Sequence, residues 1–293
     1  AQFLGGEPAD ALAVHGQLGS AGGRDADRQP VSLDTGELGG GDGLDLREGD
    51  GPQKAGVALL PITPAVETWD DRDGDGVRDD DEPFDDADGD GVWDPVWLAG
   101  FGPGRAATGV HDDNWTRVLT LSQGDLHLAI VALDLIGYFH DDVIAMRRAI
   151  AEAGHDFDHV MVVTTHQHEG PDTMGPWGSG PFDRGVDPAY LEKLIADTVR
   201  AIDIAARSEV ECSIAVGQRD AAEYVADSRL PQLIDPTVTA IAFRHRGSVR
   251  ATLTIWGNHP ETLSGDNTQL TSDYPHVLRD RLETEFPGSI ALF

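Results

Sequence analysis

Between Asp70 and Asp94 the chain carries thirteen carboxylates and only two basic side chains, Arg72 and Arg78. Like charges at that density repel one another and cannot be buried in an apolar core. The segment therefore stays a solvated loop unless cations bind among the acids. A folded body has to form on either side of it. The imbalance extends to all 293 residues, whose formal net charge is −31. So negative a chain excludes nucleic acid as a partner, because phosphate binding needs a basic footprint. It also argues against docking through basic clusters on an anionic membrane.

The order of the acids within this segment is specific. Asp71, Asp73 and Asp75 stand at positions 1, 3 and 5 of a twelve-residue pattern, with Gly76 at the turn, the carbonyl of Val77 at 7, Asp79 at 9 and Glu82 at 12. That is the ligand spacing of a calcium loop, in which hard oxygens converge because alternate residues of the turn point inward. A second copy runs through Asp86, Asp88, Asp90 and Asp94, with Trp97 where the bidentate carboxylate belongs. It is expected to be the weaker site. Without amphipathic flanking helices, the pair resembles the aspartate repeats of thrombospondin type 3 and dockerin modules. Such loops suit extracellular calcium, which points to a secreted or envelope-exposed protein. The alternative is a solvated acidic loop that binds nothing.

Residues 1–54 hold 13 of the 35 glycines and a single aromatic, Phe3. So little apolar surface cannot offset the entropy of ordering, so a disordered acidic leader is expected there. From Ala55 on, the pattern changes. Strands are expected at 55–62, 115–121, 126–136, 159–165, 210–216, 238–245, 249–256 and 290–293, with hairpin turns at 122–125 and 246–248. Helices are expected at 140–153, 190–206 and 274–286. The 190–206 segment is the clearest, with Leu191, Leu194, Ile195, Val199 and Ile202 on one face and Pro188 before it. This gives an α/β domain over 55–293, a mixed β-sheet core with flanking helices, interrupted at 70–97 by the calcium-loop insert. The lone Cys212 rules out an intrachain disulfide and a multi-cysteine zinc site. No apolar run reaches the ~20 residues of a transmembrane helix. The sequence opens without Met or a signal peptide and closes on the start of a strand, so a piece of a longer chain is expected. The oligomeric state is open.

The chemistry points to histidines. The strand 159–165 runs into His166-Gln167-His168, and the strand 249–256 into Asn258-His259-Pro260. Side chains two apart along a strand share a face, so His166 and His168 can point into one pocket. Imidazole is a good zinc ligand, and two strand exits each delivering histidine suggest one site at one sheet edge. The alternative is a pair of polar surface turns. Asp134, inside an otherwise apolar strand, is either a partner that orients a histidine ring or a strand-end cap.

These pieces carry a family resemblance. Thr165-His166-Gln167-His168-Glu169-Gly170-Pro171 resembles the THTHSGP signature of the neutral/alkaline, non-lysosomal ceramidases. Pro61-Ile62-Thr63-Pro64, Thr108-Gly109-Val110-His111, Ala132-Leu133-Asp134, Asn258-His259-Pro260 and Ser272-Asp273-Tyr274-Pro275 are similar to further family motifs and follow in the family's order. The resemblance spans residues 55–293. It implies a zinc-dependent amidohydrolase acting on the amide of N-acyl sphingoid or related lipids. It further implies His166 and His259 as zinc ligands, His168 as the catalytic group beside the metal, and a supporting role for His111. The family's remaining ligands, a Glu and a Tyr, and its proposed catalytic Ser fall beyond position 293, so the piece by itself is expected to be inactive. Glu169 stands where the family has Ser, which puts a charge next to the pocket. A different class of function competes with this one: a calcium-stabilised extracellular adhesion or binding module on a catalytically inactive scaffold.

Overall fold

The computed structural model describes residues 52–293 apart from Asp88. The leader expected over 1–54 lies outside the described residues except for its last three, and Lys54 already belongs to a strand. Eleven strands and three helices follow: β1 (Lys54–Pro61), β2 (Gly109–Val110), β3 (Trp115–Gln123), β4 (Leu126–Leu133), α1 (His140–Glu152), β5 (His159–Thr164), α2 (Pro188–Arg207), β6 (Val210–Glu211), β7 (Ser213–Asp220), β8 (Thr237–His245), β9 (Ser248–Ile255), β10 (Gln269–Leu270), α3 (Asp273–Glu285) and β11 (Ile290–Leu292).

The strands form two substantial sheets where the sequence suggested one. The first has the order β5-β4-β3-β1-β6 and the second β11-β9-β8-β7, while β2 and β10 make a short parallel pair. Both larger sheets are mixed: β4 and β5 are parallel, as are β9 and β11, and the other pairings within them are antiparallel. The run read as one strand over 210–216 is divided at Cys212, whose amide donates to the Gln53 carbonyl at 2.9 Å. Before it β6 extends the first sheet beside β1, and after it β7 joins the second. The last strand is a short edge strand, paired in parallel with β9.

Period-two alternation assigns each face of the first sheet to a different layer. Ala58, Val118, Val131 and Leu133 pack against Met146 and Ile150 of α1 and Tyr190, Leu194, Ala201, Ile202 and Ala205 of α2. Their neighbours along the strands, Val57, Leu119 and Ala132, pack instead against Phe243, Ala251 and Leu292 of the second sheet. The central strands are thus buried on both faces, which is why they read as nearly continuous apolar runs. Helix α2 starts where its sequence says it should: Asp187 caps the Ala189 amide at 2.8 Å and Pro188 takes the first turn. Its C-terminal turn lies directly on β1. A Cβ added to Gly56 would sit 1.9 Å from the Ala205 carbonyl oxygen. Gly56→Ala is therefore expected to cost about 1–3 kcal/mol, as overpacking in a tight core does. A chemical-denaturation midpoint unchanged from wild type would contradict that close approach.

Candidate metal centre

The C-terminal ends of β5 and β9 meet at one edge of the two sheets. There His166, His168 and His259 each offer a ring nitrogen, and these nitrogens lie within 4.8 Å of one another. Ring centroids are 4.7 Å apart for His166 and His259, 4.5 Å for His168 and His259, and 5.3 Å for His166 and His168. A single turn does not converge three imidazoles unless the backbone around it is held.

The holding comes from the segment after β4. β5 ends at Thr164, so His166 and His168 are not successive residues on one strand face. His166 instead adopts a left-handed backbone with φ 62°, uncommon for a bulky residue, which turns its ring into the cleft. Its amide donates to the Leu135 carbonyl at 3.0 Å, and its Nδ1 lies 2.6 Å from the Ile136 carbonyl. A carbonyl only accepts, so Nδ1 carries the proton and Nε2 keeps its lone pair for the cleft. Gln167, fully buried, donates from Nε2 to the Asp134 carbonyl at 2.8 Å and accepts from the Glu169 amide. Gly100, with φ 98°, closes over His168; a Cβ there would lie 2.6 Å from the His168 Cβ.

The His259 loop is braced from α3. Asp273 accepts from the Thr262 amide and hydroxyl, both at 2.8 Å, and from the Leu263 amide at 3.2 Å. The Tyr274 hydroxyl donates to the Asn258 carbonyl. Glu261 completes the group, its Oε2 lying 3.1 Å from His259 Nδ1 and 3.7 Å from His168 Nδ1. Burial, and then the nearby His259 and His166 rings, push the His168 pKa down to about 4. His168 is thus neutral at physiological pH. Its Nδ1 is buried and lacks a hydrogen-bond partner among the described residues. Three imidazoles, one of them neutral with an unsatisfied nitrogen, suit a borderline-soft divalent cation such as zinc. Beside them opens a cleft of about 520 Å³, walled by Met161, Val163, Leu253, Ile255, Trp256 and Phe293.

Of the two roles open to Asp134, orienting a histidine ring or capping a strand end, its contacts match the second. Its carboxylate reaches none of the three rings: Arg279 grips it with two donors at 2.7 and 2.8 Å, Ser272 Oγ donates at 2.8 Å and the Trp115 amide at 2.9 Å. It serves the site through its main-chain carbonyl, by way of Gln167. His111 is exposed and bonded to Asp112 at 2.7 Å, and is not among the histidines whose nitrogens converge. Glu169, which the sequence placed beside the pocket, is buried and faces Arg105 at 2.8 Å and Asn267 at 2.9 Å. Burial raises its pKa, partly countered by those two donors. Its carboxylate is bonded by Arg105 and Asn267.

The acidic segment forms two loops of matching design. In the first, Asp71 accepts from Gly74 and Gly76, Asp75 from Val77, and Glu82 from Arg72 and Asp79. Single oxygens of Asp71, Asp73 and Glu82 lie within 4.8 Å of one another. Partial desolvation and then the carboxylates of Asp73, Asp75 and Glu82 raise the pKa of Asp79. In the second loop, Asp86 accepts from Gly89 and Gly91, and Asp90 from Val92, as their counterparts do. Asp88 lies outside the described residues. The bonds that Glu82 makes in the first loop are made in the second by Glu67, which accepts from Ala87 at 2.9 Å and Asp94 at 2.8 Å. Glu67 was missed from sequence because it precedes its loop, so no forward spacing points to it. Trp69, Trp93 and Trp97 stack edge-on between the loops, at 5.5 and 6.4 Å. The segment then runs into the site: Ala99 donates to Gly170 at 2.9 Å, and the Asp172 amide to Trp97 at 2.8 Å.

Fold and centre define an α/β scaffold with two packed sheets and a three-histidine cleft where their strands end. Solved structures share that fold. A neutral ceramidase from Pseudomonas aeruginosa matches with a TM-score of 0.60 and 17% identity, covering 83% of this chain and 38% of that one. A ceramidase complexed with C2 matches with a TM-score of 0.60 and 16% identity, covering 83% of this chain and 37% of that one. This chain therefore spans less than two fifths of either ceramidase. No family model matches the sequence, and no curated protein matches it significantly. Among the described residues, no helix is long and apolar enough to cross a membrane.

Proposed function

We propose that this chain carries the histidine part of a zinc-dependent amidohydrolase of the neutral ceramidase type, acting on the amide of N-acyl sphingoid or related lipids. The observation that carries this reading is the meeting of His166, His168 and His259 at one strand edge of a ceramidase-like fold. His166 and His259 would hold the zinc. The ion would supply a Lewis acid for the amide carbonyl and a water ionised near neutral pH. His168 accepts a proton at Nδ1, its charged form countered by Glu261, and returns it to the departing amine. The apolar walls of the cleft exclude water and suit an aliphatic chain.

Zinc titration tests the metal. One equivalent per chain is expected by calorimetry, and a chain that takes up none overturns the reading. A short-chain N-acyl sphingosine should then bind the zinc-loaded chain; failure with zinc in place would reject the lipid amide alone.

Calcium binding at the two acidic loops belongs to the same proposal, and with it a secreted or envelope-exposed setting. The loops are also what favours the second reading, a calcium-stabilised extracellular module on an inactive scaffold, which predicts calcium uptake without zinc. Two calcium equivalents are expected, with dissociation constants on the order of 10⁻⁴–10⁻³ M. Glu82→Gln should abolish one site and Glu67→Gln the other, because each removes the bidentate carboxylate of its own loop. If Glu67→Gln leaves both equivalents in place, the second loop does not draw its last ligand from upstream.

A further inference from the structure

A hydrophobic loop stands at the same edge as the histidine cleft. Asp220 pairs with Thr237, and Thr239 with Ile255, so the β7–β8 loop (221–236) leaves the second sheet at the end where β9 delivers His259. Adjacent strands are ~4.8 Å apart, which places the roots of this loop roughly 5–10 Å from the β9 exit. The loop presents Leu230 and Leu233 almost bare, 90% and 80% exposed. On the loop that runs from His168 to α2, Phe182 is 97% exposed.

Single exposed leucines are ordinary on a protein surface. These two are held outward. Asp227 accepts from the Arg229 amide at 2.9 Å and the Leu233 amide at 3.0 Å, and Gln232 Nε2 donates to its carbonyl at 2.9 Å. With the loop closed on itself in this way, both leucines stand clear of the body, although an apolar cleft opens at the same edge.

We propose that Leu230, Leu233 and Phe182 insert into the surface of an electrically neutral lipid layer and set the histidine cleft over a substrate that resides there. The inference rests on the lipid-amide reading, since an N-acyl lipid has to be drawn from a bilayer. Charge selects the kind of layer. The chain's net charge is −31, and Asp227 and Asp235 flank the leucines with Arg229 as the cation between them. Backbone donors, Leu233 for Asp227 and Thr237 for Asp235, hold both carboxyls below the usual range and so ionised. Electrostatic attraction to anionic headgroups is absent, and apolar insertion has to supply the binding.

Co-sedimentation of the intact chain with phosphatidylcholine vesicles tests this. The wild-type chain should sediment with the vesicles, and more weakly when phosphatidylserine is added. Leu230→Ser/Leu233→Ser should lower the partition about 10-fold or more, because two leucines lose their transfer into hydrocarbon. Its thermal melt should be unchanged, since both positions are exposed. A wild-type chain that stays in the supernatant, or a double variant that partitions like wild type, overturns the proposal. So does a chain that self-associates without vesicles and loses that with the double variant, because the rim is then a protein interface. Vesicle binding should survive His259→Ala, which removes a zinc ligand, so that a failed metal site and a failed lipid rim are told apart.

Discussion

Asp134→Ala is expected to destabilise the chain by about 3–5 kcal/mol, the cost of breaking a buried ion pair from one side. Asp134 and Arg279 have side chains only 1% exposed. Removing the carboxylate strands the Arg279 guanidinium in the core, where its Nε already lacks a hydrogen-bond partner among the described residues. It also disturbs a second charge. Arg117, also buried, lies close enough that Arg279 lowers its pKa, after burial itself, while Asp134 helps to raise it. Glu283 would be left as the counter-ion of Arg117, which it already bonds. Deleting both partners costs less than deleting one, because no uncompensated charge remains. Asp134→Leu/Arg279→Met should therefore lie closer to wild type than the sum of the single changes. Denaturant midpoints of the four proteins measure the coupling. A single variant within ~1 kcal/mol of wild type would show that the pair does not hold the strand ends together.

What the sequence made legible was local. Helix α2 could be read because its cap, its proline and its apolar face agree with one another, and the β3–β4 hairpin because a Ser-Gln-Gly-Asp turn separates two β-rich runs. The first calcium-type loop could be read because all its side chains fall within twelve residues. Features that depend on distant residues were not legible. Nothing in the β-prone run from Val210 to Val216 marks the change of sheet at Cys212, since either sheet accepts the same residues. Asp134 stayed open between a histidine partner and a strand-end cap because its guanidinium lies 145 positions later. Glu67 was hidden for the same reason. The histidine pair was legible as residues but not as geometry. Period-two reasoning put both rings on one strand face, whereas a left-handed turn at His166 brings them together.

The final expectation concerns that turn. His166→Ala and His259→Ala should each weaken zinc binding by more than the 10–100-fold that loss of an outer hydrogen-bond partner typically costs. Each removes one of the nitrogens that meet within 4.8 Å. The losses should be large because the donors are already positioned. The Ile136 carbonyl fixes the tautomer of His166, and Asp273 and Tyr274 pin the loop that carries His259, so little ordering remains for binding to supply. Gln167→Ala should fall lower on the scale, at about 10-fold, because it frees the turn without removing a ligand. His111→Ala should bind zinc as wild type does, since its ring bonds Asp112 outside the cleft. Calorimetric titration of the four variants gives the ranking. If His111→Ala and His259→Ala bind zinc alike, the metal is not held between the ends of β5 and β9. If Gln167→Ala weakens binding and His166→Ala does not, the turn shapes the cleft for something other than a metal.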